Sequence, residues 1–312
     1  MKTLLHSTIA YRLLSADAKA GNAAHTSLVL FPDGKYLRSL LKECAKAFFC
    51  GEEGRTANLI EKESYADCMI LPAEGEKFTA DLAVKVIEES LLRPVEGDKK
   101  LFVLDNFHSA APLVQNKLLK VLEEPPEGVY FLLGATAEHA VLPTVLSRAK
   151  KISVPPFSEK EIADALSRGH VRETGIKEAA AASGGIYSVA EDLLAGGGED
   201  FRLAEQFLAG ENVEVLCRAV GERKEKGAFF AALKLVLRDL MFLTAGQERY
   251  CARNTAEMKR LAGTYPTGVL LSAIGFVTEA EKEIQFNANA GQAALVVFLK
   301  IQKERKKWQR LS

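Results

Sequence analysis

Hydrophobic positions fall into two regimes along this chain. Between Ser27 and Val154, near-continuous apolar runs alternate with longer segments of helical period. The runs "SLVLF", "DCMIL", "KLFVLDN", "VYFLLGAT" and "KKISV" have strand length and are apolar at consecutive positions, as strands covered on both faces are. Helical segments separate them. One starts after Gly34, and one follows Thr79 as its N-cap with Asp81 in the first turn. A third, "PLVQNKLLKVLEE", is opened by Pro112 and closed by Pro125-Pro126, since proline fits a first helical turn and stops a helix from continuing. This alternation predicts a doubly wound parallel sheet.

The second regime begins at "VPPFSEKEI". Ser158 and Glu161 have the spacing of a capping box, with Phe157 as a staple residue, and only helical periodicity follows. The expected organisation is an α/β parallel-sheet domain over residues 1–157, a small helical domain over 158–198 and an all-α domain over 199–312. The glycines of "AGGGED" at 195–200 suggest a flexible hinge between the last two. Residues 201–312 read as five or six helices. The most apolar of them, "AFFAALKLVLRDLMFLTA", carries Lys234, Arg238 and Asp239 at its centre, which suits a buried helix of a water-soluble bundle better than a membrane span.

Composition narrows the classes of function. The 312 residues include 41 Lys plus Arg and 41 Asp plus Glu, for a formal net charge of zero, so no global attraction to nucleic acid or membrane is expected. The five cysteines, Cys44, Cys50, Cys68, Cys217 and Cys251, are odd in number and scattered, which points to reduced thiols rather than a disulfide framework or a zinc site. The start "MKTLLHSTIAYRLL" lacks the apolar core of a signal peptide. A cytoplasmic location is the expectation.

The first candidate chemistry lies in "LVLFPDGKYLRSLL", residues 28–41. An apolar strand runs into Gly34-Lys35 and then into a helix, as in a phosphate-cradling loop. A triphosphate loop of the form G-x-x-x-x-G-K-[ST] uses glycines for backbone approach, Lys for the outer phosphates and a hydroxyl for magnesium. Counting back from Gly34-Lys35 puts Val29 at the first glycine and Tyr36 at the hydroxyl position. Lys35 then reads as a solvent-exposed lysine of a first helical turn. The strand "LFVLDN" supplies Asp105 as a metal-ordering acid, but Asn106 follows where a general base belongs, and an amide takes no proton.

The stretch "LDNFHSAAPLVQNKLLKVLEEPPEGVYFLL", followed by "ATAEHAVLPTVLSRAKKI", resembles the AAA+ module of bacterial DNA polymerase III clamp loaders, most closely its delta-prime branch. Asn116, Leu118, Leu119, Lys120, Leu122, Glu123, Glu124, Pro125 and Pro126 match the family's central helix. Ser147-Arg148 begins its Ser-Arg-Cys motif, with Ala149 in place of the cysteine. Upstream, "AAHTSLVLF" and "LKECAKAFFC" are similar to the family's first strand and the helix after its loop. The resemblance is strong over residues 20–157; beyond them the helices match a lid and a collar in order and type only.

The resemblance implies a non-hydrolysing structural subunit whose own loop (Gly34, Lys35, Asp105) is degenerate, with no cofactor. Arg148, with Ser147, would act in trans on nucleotide held by an adjacent motor subunit; the alternative is a surface arginine paired with a local carboxylate. Implied partners are the tau/gamma motor and delta clamp-opening subunits of a hetero-oligomer, and through them the sliding clamp and primed DNA. Many relatives carry a four-cysteine zinc module, of which only Cys50 and Cys68 fall in the corresponding window, so no metal is expected. The lid segment "ASGGIYSVAEDLL" also lacks the arginine that the family often presents to nucleotide. Competing readings are an ATP-hydrolysing tau/gamma-like motor and a stand-alone DNA-binding protein, the latter disfavoured by the charge balance.

Smaller signals have plainer readings. Thr136 stands where the family places a water-orienting sensor, and capping a turn is the simpler role. His108 and His139 read as surface residues in loops. The basic end "KIQKERKKWQR" with Trp308 reads as a solvated helix terminus, with contact to nucleic-acid phosphates as the alternative.

Overall fold

A computed structural model describes residues 1–49, 51, 53–169, 175–196, 198–223, 226–285 and 288–310. The chain divides into two compact units, Met1–Pro156 and Phe157–Ser312, and each is described by itself.

The first unit opens with helices α1 (Lys2–Ser7) and α2 (Ile9–Lys19). Strand β1 (Thr26–Leu30) leads into α3 (Gly34–Phe48), followed by α4 (Arg55–Glu61), β2 (Cys68–Leu71), α5 (Ala80–Ser90) and β3 (Lys100–Leu104). Then come α6 (Pro112–Glu123), β4 (Val129–Ala135), the single turn α7 (Pro143–Leu146) and β5 (Lys150–Ser153). All five apolar runs form strands, and they pair in parallel in the order β2-β3-β4-β1-β5. Every residue of β1 and β3 is buried, which explains why these strands read as continuous apolar runs rather than alternating ones. The edge strand β5 buries only Ile152, and its lysines discourage further strand pairing.

Two details position the chemistry. Gly134 in β4 pairs with Val29 of β1. A Cβ at Gly134 would stand 2.5 Å from Leu41 Cδ1, so the missing side chain is what lets α3 lie flush on the sheet. Gln115 of α6 is the second detail. Buried, it donates to the Ala110 and Ala140 carbonyls at 3.0 and 3.2 Å and accepts the Leu142 amide at 2.9 Å. One satisfied amide side chain thereby ties the motif helix to the entry of α7.

The second unit is helical: α8 (Glu159–Gly169), α9 (Ile176–Ala182), α10 (Tyr187–Ala195), α11 (Glu199–Ala209), α12 (Val213–Glu222), α13 (Lys226–Thr244), α14 (Ala256–Ala262), α15 (Thr267–Gln285) and α16 (Ala290–Gln309). The expected capping box is present, with Ser158 and Glu161 exchanging backbone-to-side-chain bonds at 2.9 and 3.3 Å. Phe229, Phe230, Leu233, Val236, Leu237 and Leu240 make α13 the centre of the bundle. Its Asp239 is fully buried, accepts the Arg253 amide at 2.8 Å and pairs with Arg238; Lys234 pairs with Glu281. The charges expected to mark a buried helix are thus individually compensated. Among the described residues, no single helix is long and apolar enough to cross a membrane.

At the expected hinge, 195–200, the described glycines on either side of Gly197 end one helix and begin the next. Gly196 caps α10, and Gly198 (φ 84°) begins α11 one residue before Glu199, whose amide donates to the Gly196 carbonyl at 3.1 Å. Gly196 and Gly198 supply cap geometry here; Gly197 lies outside the described residues. At the chain's basic end the ring of Trp308 lies so close over Gly268 that a Cβ there would meet it at 2.2 Å. Arg305 stacks over Tyr265 at 5.0 Å. The last helix is therefore fastened to α15 through its aromatic residue, while Lys303, Lys306 and Lys307 stay exposed.

Candidate functional site

Two places carry the chemistry predicted from sequence: the crevice where β1, β3 and β4 end, and the outer edge formed by α6 and α7. In the crevice, register brings Leu30 beside Ala135 and Leu104 beside Leu133, so the loop after β1, the acid after β3 and Thr136 after β4 converge. Ligands of open parallel sheets bind at such strand ends.

The loop after β1 is short. Only Phe31, Pro32 and Asp33 separate β1 from Gly34, the first residue of α3. Val29, at the expected position of the first loop glycine, is fully buried inside β1. Tyr36 already belongs to the first turn of α3, and Lys35 is exposed on that turn. The start of α3 is also pressed against β4, since a Cβ at Gly34 would lie 3.3 Å from Thr136 Cγ2.

Asp105 is buried and already engaged by a cation of its own chain. Arg38, one turn beyond Lys35, donates through Nη1 to Asp105 Oδ2 at 3.1 Å and to the Pro72 carbonyl at 2.9 Å. Its Nε and Nη2 bind the two Glu63 oxygens at 2.8 and 2.5 Å. Asn106, in the left-handed region at φ 48°, adds its amide N–H to Asp105 Oδ1 at 2.8 Å and its side-chain amide to Oδ2 at 3.3 Å. Burial disfavours the charged guanidinium, but Glu63 and Asp105 outweigh that cost and raise the pKa of Arg38 above its ordinary value. Glu63, hydrogen-bonded to Arg38 and paired with Lys42 at 2.8 Å, is lowered to about 2.

Thr136 is occupied in the same way. Its backbone N–H lies 3.4 Å from His108 Nδ1 and its hydroxyl 3.1 Å from His108 Nε2. His108 is half-buried rather than a surface residue, which corrects the sequence reading. Burial lowers its pKa, against the opposing pull of Asp105. His139 is exposed.

Neither Arg38 nor His108 was singled out as a site residue. The available signal for Arg38 was a guanidinium between Leu37 and Leu40-Leu41, all three fully buried. Its partners Glu63, Pro72 and Asp105 lie 25, 34 and 67 residues away, so only the assembled sheet reveals them. Cys50, from the expected zinc window, lies outside the described residues. Cys68 is buried in β2, where burial raises its thiol to about 12. No cluster of three or more potential metal ligands occurs among the described residues.

At the outer edge, Ser147 is exposed and Arg148 leaves α7 with its side chain 30% accessible. Arg148 Nε donates to Glu123 Oε2 at 2.8 Å, and Nη1 to the Thr144 carbonyl at 2.8 Å and Ser147 Oγ at 3.4 Å. Arg148 does pair with a local carboxylate, at an edge open to solvent.

A family model described as "DNA polymerase III, delta subunit" matches residues 6–158. Over that segment, just under half of the chain, it is similar to the clamp-loader family of DNA polymerase III. The chain is 30% identical over 118 residues to DNA polymerase III subunit tau/gamma of Haemophilus influenzae, covering 38% of the chain and 17% of that protein. It is 28% identical over 129 residues to subunit delta' of Bacillus subtilis, covering 39% of each. The chain thus spans well under half the length of these relatives. A solved DNA polymerase III gamma subunit-related protein of Thermotoga maritima shares the fold, with a TM-score of 0.50 and 16% identity over 94% of this chain and 99% of that one.

Proposed function

We propose that this protein is a delta-prime-like, non-hydrolysing clamp-loader subunit that supplies Arg148, presented beside Ser147, in trans to nucleotide on a neighbouring ATPase subunit. Its partners are the tau/gamma motor and delta clamp-opening subunits of a cytoplasmic hetero-oligomer that loads the sliding clamp onto primed DNA. Residues 158–198 serve as the lid and 199–312 as the collar through which the subunits assemble.

The observation that carries this reading is the ion pair between Arg38 and Asp105. A strand-end carboxylate acts in phosphoryl transfer by ordering magnesium. Here a guanidinium of the same chain pairs with it, Asn106 donates to both of its oxygens, and His108 bonds Thr136. A bound metal–nucleotide would have to displace buried charge-assisted bonds, each worth roughly 1.5–3 kcal/mol.

The contrast with Arg148 supports the trans role. Its pair with Glu123 is exposed, and such pairs contribute roughly 0–1 kcal/mol. An incoming phosphate, for which a guanidinium is well suited, meets little opposition from that contact. A guanidinium aimed at charge developing on a transferring phosphoryl group is worth about 10³ to 10⁵ in rate.

A second reading, an ATP-hydrolysing tau/gamma-like motor, is favoured by the 30% identity to a tau/gamma relative. Titration calorimetry of the isolated chain with ATP and magnesium separates the two: no binding heat and no turnover are expected. Micromolar magnesium-dependent binding would establish the motor reading instead.

A further inference from the structure

Arg148 does not reach solvent as a loose side chain. Its Nε is bound to Glu123, and its Nη1 to the Thr144 carbonyl and Ser147 Oγ; Nη2 has no partner among the described residues. Two of the three guanidinium nitrogens, Nε and Nη1, are therefore held. Glu123 is suited to do this because of its place in the chain. It is the last residue of α6, whose C-cap is Glu124 before Pro125-Pro126, and α6 is fixed to the entry of α7 by buried Gln115. The carboxylate and the arginine thus sit on two segments whose separation the core sets, although they are 25 positions apart in the sequence.

We propose that Glu123 is a positioning residue for Arg148: it holds Nε so that the guanidinium is already oriented when a neighbour's phosphate arrives. This rests on the trans role of Arg148 given above. Long side chains lose rotamer freedom when they bind, and a partner that restrains the head group beforehand lowers that loss at the moment of reaction. Glu123 is itself half-exposed, so its replacement leaves the core untouched.

The test uses the complete loader reconstituted with its motor subunits, with ATP turnover measured for Glu123→Ala, Glu123→Gln, Arg148→Ala and the double variant. Glu123→Ala is expected to lower kcat roughly two- to fivefold, as befits an exposed pair, with KM for ATP unchanged. Glu123→Gln, which keeps an acceptor for Nε, recovers part of that loss. In the Arg148→Ala background, Glu123→Ala should add nothing, because the two residues act as one unit. Unchanged or faster turnover in Glu123→Ala, or an equal loss with and without Arg148, would overturn the positioning role and leave the trans arginine standing. An inert Arg148→Ala removes both.

Discussion

The crevice and the outer edge use the same chemistry, a guanidinium against carboxylates, to opposite effect. Arg38 is buried and spends four hydrogen bonds on Glu63, Asp105 and the Pro72 carbonyl. Arg148 is partly exposed and holds one carboxylate at the protein surface. Where water is excluded, removing either partner leaves an uncompensated charge, so the pair is in effect permanent. At the surface the solvated pair is nearly neutral in free energy and exchanges readily. Burial, more than residue type, thus decides which arginine belongs to the fold and which is available to a neighbour.

The largest effect expected from breaking this comparison is at the edge. Arg148→Ala should lower turnover at the neighbouring site that it serves by about 10³ while the complex still assembles. Single-turnover hydrolysis alongside size-exclusion chromatography of the loader reads both. Normal turnover would reduce Arg148 to a surface residue paired with Glu123.

In the crevice the corresponding change should cost stability rather than turnover. Arg38→Ala leaves Asp105 and Glu63 without their guanidinium. A loss of about 3 kcal/mol is expected, at the low end for a broken buried pair, because Lys42 still reaches Glu63. The single tryptophan, Trp308, lies in the second unit. Hydrogen exchange of the β1 and β3 amides is therefore the suitable probe; unchanged protection there would show that the pair is dispensable.

How much of this was legible in the sequence follows from which contacts are local. The five strands, the proline-bounded α6, the Thr79 cap and the Ser158–Glu161 box depend on neighbours a few residues apart, and all are present. The departures of the loop from the triphosphate pattern were also legible, since Val29 and Tyr36 differ by type from its glycine and its hydroxyl wherever the chain places them. Strand order, the Arg38 cluster and the His108–Thr136 pair were not, because each joins segments that only the assembled sheet brings together.

Acid should act on the crevice. His108 is held below its ordinary value of 6.5 by burial. The fold therefore prefers its neutral form, and that contribution is full above pH 6.5 and declines as pH falls through the lowered value. Glu63 is lowered from 4.5 to about 2, so its contribution is full above pH 4.5 and is lost between about 4.5 and 2. After allowance for its partial exposure this second step amounts to about 1–2 kcal/mol. Denaturation midpoints from pH 8 to 2 should show both declines, and Arg38→Ala should diminish the lower one. A step of the same size in that variant would mean that Arg38 is not what holds Glu63 ionised.

The smallest expected effect bears directly on the non-hydrolysing reading. Lys35 would be indispensable in a working triphosphate loop, because it would neutralise the outer phosphates. Here it is exposed on the first turn of α3, beside a loop of three residues and an acid held by Arg38. Lys35→Ala should shift stability by no more than about 0.5 kcal/mol, as surface substitutions do, and change nothing in a nucleotide titration of the isolated chain. If the chain instead turned over ATP and Lys35→Ala abolished it, Asp105 would have to release Arg38 during the cycle, and the contrast between the two arginines would collapse.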